Sequence, residues 1–116
     1  MKTAMVAAAL AALSLSGVAL ADDVTGAWKV TGDVVGNAVA TVCTFAGSGD
    51  KTTASCTENG AAGKPAPVTI SGKDVSWDWE TSQAVLTFKG KLDSASAMKG
   101  DIEVSGVTGN FTATKQ

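Results

Sequence analysis

The segment Asp74-Val75-Ser76-Trp77-Asp78-Trp79-Glu80 alternates apolar and polar side chains without a fault. Val75, Trp77 and Trp79 fall on one side, and Asp74, Ser76, Asp78 and Glu80 on the other. A period of two over that length is the mark of a β-strand with one buried and one wet face. Two of the chain's three tryptophans lie on its apolar side, so this strand carries the largest block of buriable surface. The rest of the domain is expected to roll up around it.

Outward from that strand, the pattern repeats. On its N-terminal side, residues 68–71 read as a short strand that turns through Gly72-Lys73. On its C-terminal side, Thr81-Ser82-Gln83 turns into a strand over 84–92, with Leu86, Phe88 and Leu92 on one face. Further strands are read at 24–31, 38–46, 51–57, 98–104 and 107–114. Gly32-Asp33, Gly36-Asn37 and Gly47-Ser48-Gly49-Asp50 supply turn chemistry between them. Residues 58–67 (ENGAAGKPAP) hold both prolines and read as the one long polar connection. No helical period follows the N-terminal apolar run. Strands spaced this evenly imply an all-β fold. The tight connections favour an up-and-down meander of about eight short strands forming a small barrel, which leaves no sheet edge exposed. A two-sheet β-sandwich is the alternative architecture.

An internal echo runs through the last strands. Phe88-Lys89-Gly90-Lys91-Leu92, Met98-Lys99-Gly100-Asp101-Ile102 and Val107-Thr108-Gly109-Asn110-Phe111 share the pattern apolar-x-Gly-x-apolar. Alternation puts each glycine on the apolar face between two core residues. A glycine repeated inside strands implies a bend, space for a large neighbour, or a glycine-lined ligand cavity.

The chain opens MKTAMVAAALAALSLSGVALADD. A basic Lys2, an apolar run over 4–13 and the small-x-small site Ala19-Leu20-Ala21 read as a cleaved secretory signal peptide over residues 1–21. That apolar run falls short of the roughly 20 residues a membrane-spanning helix needs. The expected mature chain, 22–116, is one domain bound for the periplasm or the extracellular space. It carries two cysteines, Cys43 and Cys56, for which a disulfide is the default in an oxidising compartment.

Absences narrow the function. The chain has no His, Arg or Tyr, which removes Ser-His-Asp and Cys-His triads, imidazole metal sites and arginine phosphate clamps. A formal net charge of −2 with lysines scattered singly gives no basic patch for nucleic acid or for an anionic membrane surface. A non-enzymatic domain without metal or cofactor is therefore expected. Trp28, Trp77 and Trp79 are the candidate ligand-binding residues: aromatic side chains at a barrel mouth would hold a small hydrophobic molecule. The same three are equally the natural core of a small domain. Asp74, Asp78 and Glu80 form an acidic stripe that reads as a solvated face. Asn110-Phe111-Thr112 matches a glycosylation sequon by coincidence. Two function classes follow: a binding barrel for a small hydrophobic ligand, or a structural or protein-interaction domain of the envelope with a filled core.

The opening Gly26-Ala27-Trp28, the Val75-Ser76-Trp77 strand and the closing Phe111-Thr112-Ala113-Thr114-Lys115 resemble the avidin and lipocalin (calycin) superfamily, whose first strand carries G-x-W. That resemblance implies a barrel that binds small hydrophobic ligands inside. Without tyrosine, the chain lacks the polar cluster that holds biotin, and it lacks the length and C-terminal helix of a lipocalin. It looks still more like small Trp-rich, single-disulfide secreted bacterial proteins, a likeness that implies no activity.

Overall fold

A computed structural model describes residues 24–116; the expected signal peptide lies outside the described residues. The described chain forms nine strands: β1 (Gly26–Val34), β2 (Asn37–Ala46), β3 (Thr53–Glu58), β4 (Ala61–Ala62), β5 (Ala66–Ser71), β6 (Asp74–Glu80), β7 (Val85–Ser94), β8 (Ala97–Val104) and β9 (Val107–Lys115). A single 3-10 turn, Gly49–Lys51, joins β2 to β3. The strands pair antiparallel in the order β2-β1-β9-β8-β7-β6-β5-β3, and β3 pairs back onto β2. The result is a closed eight-stranded barrel, not a sandwich, with β4 as a two-residue extra.

The connection expected over 58–67 is more ordered than its proline and glycine content implies. Ala61 and Ala62 pair with Glu58 and Thr57, and Ala66 and Pro67 pair with Ala54 and Thr53. β4 and β5 thus follow β3 as one hairpin arm, interrupted by Gly63-Lys64-Pro65. The pairing closes around the break through Gly63 N–H, which donates to the Cys56 carbonyl at 2.9 Å, and Ser55 Oγ, which donates to the Gly63 carbonyl at 2.6 Å.

β3 is lightly paired within the wall. It shares four residue pairs with β2 and two with β5. The β2–β3 ladder stops at Cys43↔Cys56. Beyond it, side chains take over: Thr41 Oγ1 donates to the Thr57 carbonyl at 2.7 Å, and Val42 N–H donates to Thr57 Oγ1 at 3.3 Å. The Cys43–Cys56 disulfide joins the last directly opposed pair. Closing a loop of 13 residues in sequence stabilises the fold by about 3 kcal/mol in the chain-entropy model.

Alternation along every strand sends the apolar set inward. Trp77 and Phe88 are cross-strand partners and stack at 4.9 Å with an interplanar angle of 3°. Phe45 meets Trp77 edge-on at 4.9 Å, and Phe111 does so at 5.8 Å. These offset and edge-to-face geometries suit the ring quadrupoles. With Ile102, Met98 and Leu92 around them, the four rings fill the middle and one end of the barrel.

The glycine echo has a steric cause. Gly90 and Gly100 are partners across β7 and β8. A Cβ on Gly90 would lie 2.9 Å from Phe111 Cζ, so this glycine makes room for a ring. One on Gly100 would meet the Lys89 carbonyl oxygen and lie 2.6 Å from Gly90 Cα. One on Gly109 would meet the Asp33 carbonyl. Of the readings open for the repeat, space for a large neighbour accounts for Gly90; close backbone approach, which the repeat did not suggest, accounts for Gly100 and Gly109.

Candidate functional site

The two ends of the barrel are built differently. One end, the floor, gathers the start of β1, the 3-10 turn, Gly72-Lys73 and the β7–β8 turn. Trp28 closes it. Its ring is fully buried, its Nε1 donates to the Val24 carbonyl at 2.8 Å, and Lys115 Nζ lies 5.9 Å from the ring centroid.

The other end is the mouth. Three of its four connections are two-residue turns: Val35-Gly36, Asn59-Gly60 and Ser105-Gly106. Each places both residues at positive φ, 50–54° for the first and 81–82° for the glycine. That is the backbone of the type I′ hairpin turn, whose twist matches the flanking strands. The fourth connection, 81–84, folds on Thr81. Its Oγ1 donates to the Ala84 carbonyl at 2.8 Å and accepts Ala84 N–H at 3.0 Å. Glu58, at the end of β3, clasps this loop: its carboxylate accepts from Ser82 N–H at 3.2 Å and Ser82 Oγ at 2.7 Å.

Asn59 and the 81–84 connection border a cavity of about 450 Å³. Val34, Val39, Leu86, Val104 and Trp79 form its apolar walls, and Asn37, Glu58, Asn59 and residues 81–83 its polar rim. The cavity is shallow. The layer beneath, formed by Trp77, Phe88, Ile102 and Phe111, is packed. Such a concavity, with apolar walls and an equally large share of polar residues at its rim, lies at the small end of the usual volume range for small-molecule sites.

The three tryptophans therefore occupy three levels. Trp79 is half-buried and lines the cavity; Trp77, 3% exposed, lies one layer down; Trp28 sits at the far end. The Nε1 atoms of Trp77 and Trp79 are both shielded from solvent without a hydrogen-bond partner among the described residues. The acidic stripe faces outward, where Asp74 pairs with Lys91 at 3.4 Å, Glu80 with Lys64 at 3.7 Å, and Asp78 accepts from Thr87 Oγ1 at 2.8 Å. No group of His, Cys, Asp and Glu able to hold a metal ion occurs among the described residues. No described helix is long and apolar enough to cross a membrane.

Sequence reading missed Glu58 and Val35. Glu58 fell in a segment read as a plain connector. Val35 went unremarked, yet it is a β-branched residue at φ 50° with 73% of its surface exposed. It joins Val85 and Val107 as the exposed large hydrophobic residues of the described chain, and all three sit on the mouth rim. A signal was present. In a meander, successive turns alternate between ends, so the dipeptides Val35-Gly36, Asn59-Gly60 and Ser105-Gly106 could have been assigned to one end by counting strands.

Charge divides along the barrel axis in the same way. Asp33, Glu58, Asp78, Glu80 and Glu103 lie toward the mouth, with Lys64 as their basic neighbour on that end's connections. Lys29, Lys51, Lys73, Lys91, Lys99 and Lys115 lie toward the floor, against Asp50, Asp74 and Asp93. Lys89 and Asp101 face each other at mid-height.

No protein-family model matches the chain, and no curated protein matches it by sequence. Solved structures do resemble it. A redesigned β-barrel, b11L5F_LGL, superposes with a TM-score of 0.57 at 21% identity, covering 87% of this chain and 98% of its own. A second redesigned β-barrel, mFAP1, bound to DFHBI, gives 0.59 at 14% identity, covering 87% and 100%. At such identities the likeness establishes the small closed barrel and nothing finer.

Proposed function

We propose that this protein is an exported, non-enzymatic barrel that binds a small hydrophobic ligand at its mouth. The observation that carries the reading is the cavity of about 450 Å³, walled by Val34, Val39, Trp79, Leu86 and Val104, above a packed core. In this reading Trp79 contacts the ligand, Trp77 forms the base beneath it, and Trp28 seals the opposite end. That the similar barrel mFAP1 is bound to DFHBI is consistent with this shape holding a ligand. The signal peptide over residues 1–21 would direct export, leaving a mature domain over 22–116. The Cys43–Cys56 disulfide fits an oxidising destination.

The test is a titration of tryptophan emission with uncharged hydrophobic probes. Saturable change that disappears in a folded Trp79→Leu variant supports the reading. Emission that no probe alters, together with unchanged amide resonances at Ser82 and Gln83, overturns it.

One observation favours a second reading, that of a protein-interaction domain of the cell envelope. Val35, Val85 and Val107 are exposed on the same rim and would suit a protein surface set against the mouth. Their replacement by Thr would then weaken a partner complex and leave probe binding intact.

A further inference from the structure

One carboxylate lines the cavity itself. Among the residues that line it, Glu58 is the charged one. Its carboxylate is held in place by Ser82, yet no lysine reaches it. The ion pairs of the described chain are Lys64–Glu80, Lys89–Glu103 and Lys91–Asp74. A carboxylate fixed by hydrogen bonds, in a cavity it shares with an indole and without a counter-charge, is a receptor for a cation. Trp79 is that indole. An indole within about 6 Å attracts an ammonium through its quadrupole. The chain uses that geometry at its own floor, where the Lys115 ammonium lies 5.9 Å from the centre of the Trp28 ring. The apolar walls would take the body of the ligand, and Asp33, Asp78, Glu80 and Glu103 add a negative field that draws cations toward this end.

We infer that the ligand class is an amphiphilic cation: a compact apolar body carrying an ammonium or similar charge, with the charge against Glu58 and Trp79 and the body among Val34, Val39, Leu86 and Val104. The inference rests on the mouth being a ligand site and adds the chemistry of what enters. An anionic amphiphile is disfavoured by the same carboxylate. An uncharged one would bind only through the walls.

The deciding experiment compares three probes sharing one tail: octyltrimethylammonium, octanol and octyl sulfate. Each is titrated into the oxidised protein below its aggregation threshold, and the amide resonances of Ser82, Gln83 and Val104 are followed. The expected result is that octyltrimethylammonium binds on the order of tenfold more tightly than octanol, as one charge pair in a half-solvated site implies. Octyl sulfate should bind weakest. Raising the salt concentration should weaken the cation alone. Glu58→Gln should bring the cation and octanol to the same affinity without weakening octanol. If that variant does not fold, the salt series on the native chain carries the same information. Equal binding of cation and octanol at all salt concentrations, or a preference that survives in a folded Glu58→Gln variant, overturns the cation inference and leaves the apolar site standing. Failure of all three probes to move the mouth resonances overturns both readings.

Discussion

Replacing Gly100 with alanine should be among the most damaging single-methyl changes available in this barrel, and a matched change at its partner Gly90 should be much milder. The two glycines face each other across β7 and β8. At Gly90 the obstacles are side chains, Phe111 Cζ at 2.9 Å and Met98 Sδ at 3.2 Å, and both can yield by a few tenths of an ångström. At Gly100 they are backbone: the Lys89 carbonyl, and Gly90 Cα at 2.6 Å. Relief there requires β7 and β8 to separate by roughly 1 Å, given carbon contacts of about 3.5 Å. That movement weakens about two ladder hydrogen bonds, each worth about 1 kcal/mol, and adds overpacking strain of about 1–3 kcal/mol. Alanine restricts the unfolded chain, which returns about 0.4–1 kcal/mol. The net expectation is about 3 kcal/mol for Gly100→Ala and about 1 kcal/mol for Gly90→Ala. At roughly 4–8 °C per kcal/mol for a domain of this size, the Tm falls by about 12–24 °C and about 4–8 °C respectively. Thermal melts of the oxidised protein followed by circular dichroism measure both. A double-mutant cycle sharpens the contrast. Phe111→Leu should relieve Gly90→Ala, because a shorter side chain vacates the contested space, and should do nothing for Gly100→Ala. A Gly100→Ala protein melting within about 3 °C of the parent, or one rescued by Phe111→Leu, would refute the claim that backbone approach dictates this glycine.

Three further outcomes are expected. The Cys43→Ser/Cys56→Ser variant should lose about 3 kcal/mol in urea unfolding, and amide exchange should accelerate first in β3, which is joined to β2 by four residue pairs and would lose its covalent tie to that strand. Val35→Asn should raise stability by about 1 kcal/mol in the same assay, since asparagine tolerates the left-handed region that a β-branched side chain resists; an unchanged or lower midpoint would show that Val35 is not strained. Lys64→Gln should shift the urea midpoint by less than about 1 kcal/mol, because its pair with Glu80 is largely exposed.

The sheet was legible because its signal is local. Each of Val75, Trp77 and Trp79 needs only its two neighbours to declare a face, and the paired cysteines announced which strands touch. Barrel closure was legible only indirectly, through the evenness of the turns. The segment 58–67 was misjudged for a physical reason. Prolines and glycines weaken a strand by propensity, but β3 needs a partner on its outer side, and pairing from Ala61–Ala62 and Ala66–Pro67 overrides that propensity. The cavity was the least legible feature. Whether Trp79 lines a space or fills one depends on the side chains across the barrel, Val39 and Val104 among them, and no periodicity along one strand reports what stands opposite. Glu58 gained its meaning only once the fold brought Ser82, 24 positions later, against it.

The separation of charge along the axis has a bearing on how the molecule stands. A barrel with lysines at one pole and carboxylates at the other is an electric dipole, and it turns in the field of any charged surface within a Debye length, about 8 Å at physiological ionic strength. Near a sheet of negative charge the torque favours the Trp28 end inward. Its opening then points away from that surface, toward whatever diffuses past.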